Sequence, residues 1–227
     1  MSLPTATRSG SARRPSKDSE LTFVTTWHPA YLFKDMARGA RSFLLHVKKA
    51  VDIALGKPED PLPRILRDPP IAEARRVFKS WRKLGFAIDV ETPALKEFRL
   101  LSVAVCGNPN LAMVWNCQNQ AKLAPLREAL ASPIRKVVQN GDFDIGVLQS
   151  CGFELDPETF WDTMIEGAIL HPDEPVNLSF LASMACDTES WKFRRDEDLG
   201  FYNVIDAWTT WLIYLDNQRG YEEEGEL

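Results

Sequence analysis

Hydrophobic positions along this chain follow two periods, and the change from one to the other marks the elements. In "ARSFLLHVKKAVDIALG", residues 40–56, Phe43, Leu44, Val47, Val51 and Leu55 recur at helical spacing until Gly56 ends the pattern. "IAEARRVFKSWRKL" predicts a second, short helix, amphipathic or basic. Three apolar, β-rich runs come next, "GFAIDV", "RLLSVAVCG" and "LAMVWNC", separated by turn material such as "GNPN". "KLAPLREALAS" then predicts a helix, "RKVVQN" a strand, "DIGVLQSCG" a helix stopped by Gly152, and "FWDTMIEGAILH" a short strand passing into a helix. "NLSFLASMA", with Asn177 as N-cap, and the long "DLGFYNVIDAWTTWLIYLDNQ" add two more helices. Three antiparallel strands followed by alternating helix and strand predict an α/β fold, a mixed sheet flanked by helices.

Composition divides the chain further. Residues 1–20 are rich in Ser, Arg and Pro with almost nothing to bury, and predict a disordered arm. Residues 21–57 hold the apolar stretch "LTFVTTWHPAYLF" and the first helix, and the prolines of "KPEDPLPRILRDPP" predict an extended linker over 58–70. The main domain is expected over 71–217, with an acidic tail over 218–227. A hydrophobic fraction of 44% suits a globular protein, and a net charge of -5 argues against a uniformly basic surface while leaving room for an acidic site beside a local basic patch. Cys106, Cys117, Cys151 and Cys186 show no CxxC pairing, and three histidines supply no zinc spacing, so free buried thiols in a reducing cytosol are expected. No apolar run approaches the ~20 residues of a membrane span, and the start lacks a signal peptide's apolar core. These readings predict a cytoplasmic protein with no membrane partner.

The chemistry starts at "LGFAIDVETPA", residues 84–94, where an apolar run ends in Asp89 and Glu91. In a strand, residues i and i+2 share a face, so the two carboxylates project together while Val90 faces the other side. Two carboxylates held close repel unless a cation lies between them, and hard oxygen ligands suit Mg²⁺ or Mn²⁺. Taken alone the pair fits a solvated strand end equally well. Two further stretches add to it: "QNGDFDIGVL" places Asn140 and Asp144 four apart at the opening of a helix, and "FYNVIDAW" places Tyr202 and Asp206 four apart on one helix face. Asp-x-Glu, Asn-x-x-x-Asp and Tyr-x-x-x-Asp in that order form a far more specific pattern than any one of them.

With these motifs the chain resembles the DEDD exonucleases of RNase H-like fold, in the subgroup with tyrosine in the third motif. Within that group it is most similar to the proofreading 3'→5' exonuclease domain of family A DNA polymerases. "FAIDVET" looks like the first motif, "QNGDFDIGVLQSCGFEL" the second and "YNVIDAWTTWLIYL" the third, with "FWDTMIEGAILHPDEPVNLSFLASMA" similar to the connecting helices. The resemblance covers about residues 84 to 216. It implies metal ligands at Asp89, Glu91, Asp144 and Asp206, two divalent ions bridging the scissile phosphate, and Tyr202 as the residue that orients the attacking water. An ordinary phenol near pKa 10 stays protonated at neutral pH, so Tyr202 acts by hydrogen bonding and not as a strong base. Asn140 is expected to support the second motif, and Thr92 to offer its hydroxyl or backbone to the terminal nucleotide. "WKFRR", with Trp191, Arg194 and Arg195, is the candidate for strand contact, since aromatic and guanidinium groups suit single-stranded DNA. Asp142 is expected to be solvated, Asp162 to cap the helix after it, and Trp208 and Trp211 to be core.

"TTWHPAYLFK", residues 25–34, resembles the His-Pro motif near the C-terminal end of uracil-DNA glycosylases. The glycosylase's earlier motifs have no space ahead of it, so His28 is expected to be a remnant within the 21–57 segment. The chain looks like a slice of a phage-type fusion of glycosylase-like segment, exonuclease and polymerase, and is expected to be a stand-alone exonuclease or a piece of something larger. The expected activity is metal-dependent release of nucleoside monophosphates from single-stranded or frayed DNA 3' ends in a bacterial or phage-infected cell, with a polymerase in cis or in trans. An RNA-trimming enzyme like the RNase D group and a non-catalytic DNA-docking module are the competing readings.

Overall fold

The structure, a computed structural model, describes residues 40–57, 59–94, 97–188 and 191–225, together with Val24, Thr26 and His28. The arm expected over 1–20 and most of the His-Pro segment lie outside the described residues. The strands are β1 (Arg64–Arg67), β2 (Phe86–Glu91), β3 (Ser102–Asn108), β4 (Leu111–Asn116), β5 (Lys136–Val138) and β6 (Phe160–Asp162). They form one sheet in the order β1-β4-β3-β2-β5-β6. β2, β3 and β4 make an antiparallel meander, and β5 and β6 extend it in parallel from β2, as the apolar pattern predicted. The helices are α1 (Ala40–Ala54), α2 (Ile71–Trp81), α3 (Ala124–Leu130), α4 (Asp142–Ser150), α5 (Thr163–Leu170), α6 (Leu178–Ala185) and α7 (Leu199–Gly225). No described helix is long and apolar enough to cross a membrane.

Two boundaries differ from expectation. The stretch expected as linker carries β1, which pairs in parallel with β4 and is held at its ends by Arg64 N–H donating to Asn110 O and Asp68 N–H donating to Val114 O. Pro61, Pro63, Pro69 and Pro70 flank this strand instead of interrupting it, and an edge strand needs partners on one side only. The stretch expected as acidic tail continues α7 as far as Gly225.

Side-chain size sorts the two faces of the sheet. Phe86, Ile88, Val90, Val103, Val105, Met113 and Trp115 fill one face against α2, α3 and α4, with Phe78 stacked on Trp115 at 6.3 Å. On the other face Ala87, Ala104, Cys106, Ala112 and Val114 are small, and the buried side of α7 lies on them through Val204, Ile205, Trp208 and Trp211. Small residues let the helix backbone approach the sheet closely, which brings anything polar on α7 against β2. Trp208 and Trp211 are core, as expected, and Trp208 Nε1 donates to Pro109 O. Cys106, Cys117 and Cys186 are free and buried, and burial pushes each thiol up to about 12. Gly85 opens β2 at φ 99°, where a Cβ would lie 2.6 Å from Arg135 O at the start of β5. Only glycine allows β2 and β5 to begin side by side there.

α1 docks with its polar side inward. Ser42, His46 and Lys49 are buried, while Leu44, Val47, Val51 and Leu55, the stripe that reveals the helix in the sequence, face outward. His46 Nε2 meets Ser183 Oγ at 3.1 Å, and Lys49 Nζ pairs with Asp187 at 3.0 Å and donates to Cys186 O.

Lys136 is fully buried in β5, its ammonium donating to Ser132 O and to Thr159 Oγ1. Burial pulls its pKa down to about 8. Above that value the folded protein holds fewer protons than the unfolded chain, so stability attached to this group rises with pH until the ordinary lysine value is passed. The melting temperature of wild type relative to Lys136→Met therefore climbs between about pH 8 and about pH 10. A constant difference in calorimetry across that window would show that Lys136 titrates normally.

Candidate active site

β2 runs through the middle of the sheet and ends in the acids. Its alternation sends Phe86, Ile88 and Val90 into one core and Ala87, Asp89 and Glu91 toward α7. Asp206, one turn beyond Tyr202 on α7, meets them there: Asp89, Glu91 and Asp206 each place a carboxylate oxygen within 4.8 Å of the others. Asp144 enters from the opposite face on the first turn of α4, whose Val147 and Leu148 lie in the other core. It is buried and accepts a hydrogen bond from the Val90 backbone. Asp89, Glu91 and Asp206 thus meet at the carboxyl end of β2, and Asp144 is held beside them at the Val90 backbone, near enough for its charge to act on Asp89.

The approach of Asp144 depends on a turn. Asn140 adopts a left-handed conformation at φ 58°, which asparagine tolerates, and Gly141 then starts α4. Asp162 holds this turn in place, accepting from the backbone N–H groups of Asn140 (3.0 Å), Gly141 (2.8 Å) and Met164 (2.8 Å). It caps α5 as expected and in addition clamps the entry to α4. Asn140 supports the second motif through its backbone, its side chain being exposed, and Asp142 is exposed as expected.

The electrostatics follow from burial. Desolvation, then the charges of Asp206, Asp144 and Glu91, raises the Asp89 carboxyl well above the usual carboxylate range. Desolvation, then Glu91, does the same to Asp144. Glu91 is raised by burial too, with Arg195 opposing. Burial and then Asp206 hold the Tyr202 phenol protonated well above its ordinary value, so it serves as a hydrogen-bonding group.

Residues 191–195 cover two of the acids. Trp191 Nε1 donates to Asp206 Oδ1 at 2.6 Å, Lys192 Nζ donates to the same oxygen at 2.6 Å and to Tyr202 OH at 3.2 Å, and Arg195 pairs with Glu91 Oε2 at 2.9 Å. Two sequence expectations change here. Trp191 is buried with its indole N–H on Asp206, so it positions an acid and presents no stacking face; Phe193, 62% exposed, is the aromatic this segment shows to solvent. Thr92 is buried, its hydroxyl donating to Ala94 O and its carbonyl accepting from Arg195, so it belongs to the turn after β2. Arg194 lies over the rings of Phe193 and Phe201, and Arg195 pairs with Glu91.

Sequence reasoning missed Lys192, Asn203 and Ser102. Asn203 is fully buried; its Nδ2 donates to Asp89 Oδ2, and its Oδ1 accepts from Ser102 Oγ at 2.8 Å. Ser102 is the register partner of Glu91 across β2 and β3. The signal for Asn203 was its place three residues before Asp206, on the same face of an otherwise apolar stretch of helix. Nearby, Phe98 is 52% exposed and pairs with Phe143, the residue before Asp144, at 6.2 Å between ring centroids.

The donor set contains oxygen only, with neither thiolate nor imidazole, and its buried acids resist ionising together. Both properties fit a hard divalent cation.

The model of 3'-5' exonucleases matches residues 72–199, more than half of the chain. The chain belongs to the 3'-5' exonuclease family. The match contains Asp89, Glu91 and Asp144; Tyr202 and Asp206 lie just past its end and are joined to it by the geometry above. This exonuclease is of the DEDD type, and divalent metal is the cofactor that both family and donor set require. No curated protein matches it. Among solved structures it is similar to Escherichia coli RNase D (17% identity, TM-score 0.55, 74% of this chain and 47% of that one). It is also similar to Brucella melitensis NrnC (20%, 0.54, 73% and 84%) and to Pol1 from M. smegmatis in complex with DNA primer-template and dNTP (15%, 0.54, 70% and 28%). At these identities the likeness shows a shared fold. The exonuclease spans under half of the RNase D chain and little more than a quarter of the Pol1 chain.

Asn203→Ala removes the donor that orients Asp89 and leaves the buried Ser102 hydroxyl without its acceptor. Mn²⁺ affinity measured by calorimetric titration is expected to fall by about 10- to 100-fold. Unchanged affinity in a folded variant would show that Asp89 needs no such support.

Proposed function

We propose that this exonuclease removes nucleoside monophosphates one at a time from the 3' end of single-stranded or frayed DNA, in proofreading or repair alongside a polymerase domain held in cis or in trans. The observation that carries the reading is the meeting of Asp89, Glu91 and Asp206 at the carboxyl end of β2, with the buried Asp144 beside them and Tyr202 one helical turn from Asp206. The choice of DNA is supported by the likeness of its three motifs to the proofreading domains of family A polymerases.

Asp89, Glu91, Asp144 and Asp206 would hold two divalent ions, which when bound supply the Lewis acidity that lowers the pKa of water and neutralises charge on a leaving oxygen. The chain's own groups supply orientation. Asn203 fixes one rotamer of Asp89, Trp191 fixes Asp206, and the Val90 N–H fixes Asp144. Tyr202, protonated at neutral pH, aligns the attacking water through its hydroxyl. Phe98, backed by the half-buried Phe143, offers exposed ring surface where a terminal base can stack, and Phe193 with Arg194 offers a second such surface.

Digestion of 5'-labelled single strands in Mg²⁺ or Mn²⁺ is expected to give a ladder shortening from the 3' end, faster on DNA than on RNA, and stopped by EDTA. Asp206→Ala is expected to lose activity beyond the roughly 10–100-fold cost of losing an outer partner of a metal ligand. Intact DNA in both metals would overturn the catalytic reading, and faster RNA trimming would overturn the choice of DNA.

Metal also relieves repulsion among the acids and so binds the folded state alone. At about 100 times its Kd, Mn²⁺ adds roughly 2.7 kcal/mol of stability and raises Tm by about 5–10 °C. Scanning calorimetry that finds no rise would exclude the site.

A further inference from the structure

One five-residue segment supplies every cationic contact that the acid cluster receives among the described residues. Lys192 Nζ sits 2.6 Å from Asp206 Oδ1 and 3.2 Å from Tyr202 OH, and Arg195 Nη2 sits 2.9 Å from Glu91 Oε2. Their side chains keep 38% and 44% of their surface in water, while those of Asp206 and Glu91 keep 6% and 12%. The cations therefore reach in from the mouth of the site, and the acids stay behind.

This geometry sets up a competition. An ammonium on Asp206 and a guanidinium on Glu91 offset the charge of two of the four clustered carboxyl groups, and so weaken the field that would draw in a divalent ion. A metal ion and these two side chains call on the same oxygens. The two side chains are long, jointed and half in solvent, so they can leave the acids without unfolding anything. A phosphate brought to the acids gives both of them a new anionic partner at the same mouth, and guanidinium and ammonium groups are well suited to phosphate oxygens.

Resting on the exonuclease reading above, we propose that Lys192 and Arg195 are exchangeable counter-ions. In the free protein they hold Asp206 and Glu91, and when the strand arrives they transfer to its terminal phosphates and release the acids to metal. Lys192 is thereby a phosphate-binding residue of the active site. Metal and nucleotide binding are coupled through it, each raising the affinity of the other by the same factor. Trp191, a neutral donor to Asp206 in the same segment, stays in place throughout and keeps that carboxylate oriented.

The test measures Mn²⁺ affinity by calorimetric titration, with and without thymidine 5'-monophosphate, which carries a phosphate but no bond to cut. It uses the wild type, Lys192→Met, Lys192→Gln, Arg195→Met, and Arg76→Ala as an exposed cation outside the segment. Without nucleotide, the Lys192 and Arg195 variants are expected to bind Mn²⁺ at least about fivefold more tightly than wild type. In Mn²⁺-loaded protein the same variants are expected to bind the nucleotide more weakly, with Arg76→Ala unchanged in both. Lys192→Gln keeps a hydrogen-bond donor on a slightly shorter side chain and loses the charge, so it should follow Lys192→Met. Mn²⁺ affinity that stays equal or falls in folded variants overturns the proposal, because a purely structural clasp gives that result. Tighter Mn²⁺ with unchanged nucleotide affinity overturns the transfer to phosphate. Wild type that binds Mn²⁺ and digests DNA while the variants match it leaves the exonuclease reading standing and sinks only this inference; wild type that binds no Mn²⁺ sinks the reading itself.

Discussion

The structure is organised around a repulsion. Four carboxylates, from one strand and two helices, are held in a space where burial and mutual charge push Asp89 and Asp144 far toward their protonated forms. Carboxyl groups placed this way gain nothing for the fold by themselves, and leaving buried charge uncompensated is costly. The surrounding architecture serves to keep them there. Alanines 87, 104 and 112 bring α7 down onto the sheet so that Asp206 reaches β2. Asn140 and Asp162 bend the chain between β5 and α4 so that Asp144 arrives from the other side.

The supporting groups fall into two kinds with different physical consequences. Val90 N–H, Asn203 and Trp191 are buried neutral donors that fix one orientation of one acid each. They do not compete with a cation for the site, because a carboxylate oxygen accepts from a neutral donor and ligates metal at the same time. Lys192 and Arg195 are charged and partly exposed, and ion pairs with one partner in water contribute little net stability. The permanent part of the site is thus its geometry, and the part that exchanges is its charge balance.

How much of this the sequence revealed depends on the range over which each signal acts. The meander and its parallel extension were legible because period-two and period-3.6 runs are local, and the acids were legible because three motifs in a distinctive order resemble a known exonuclease family, which implies the four ligands. β1 was hidden because four residues between pairs of prolines carry too little pattern to separate an edge strand from a linker. The facing of α1 was hidden because its apolar stripe, read alone, gives no hint that His46 and Lys49 would find polar partners on and after α6. Trp191 and Thr92 were misread for a common reason: residue type suggested contact with substrate, and burial, which depends on the whole fold, turned each inward. Asn203 carried a faint signal in its helical phase, but its partner Ser102 lies 101 residues away in sequence, beyond any local pattern.

Burial also bears on which bonds the site can reach. The acids lie between a sheet face and a helix, with Glu91 and Asp206 largely out of water and residues 191–195 across the opening. A phosphodiester in the middle of a duplex is shielded by the strands on either side of it and cannot be threaded into such a recess, whereas the last nucleotide of a single strand has one free side. Phe98 and Phe193 keep their rings largely in solvent, and exposed rings are surfaces on which unpaired bases can stack without regard to sequence. A buried acid cluster reached past residues 191–195 fits the exonuclease activity of the family to which the chain belongs.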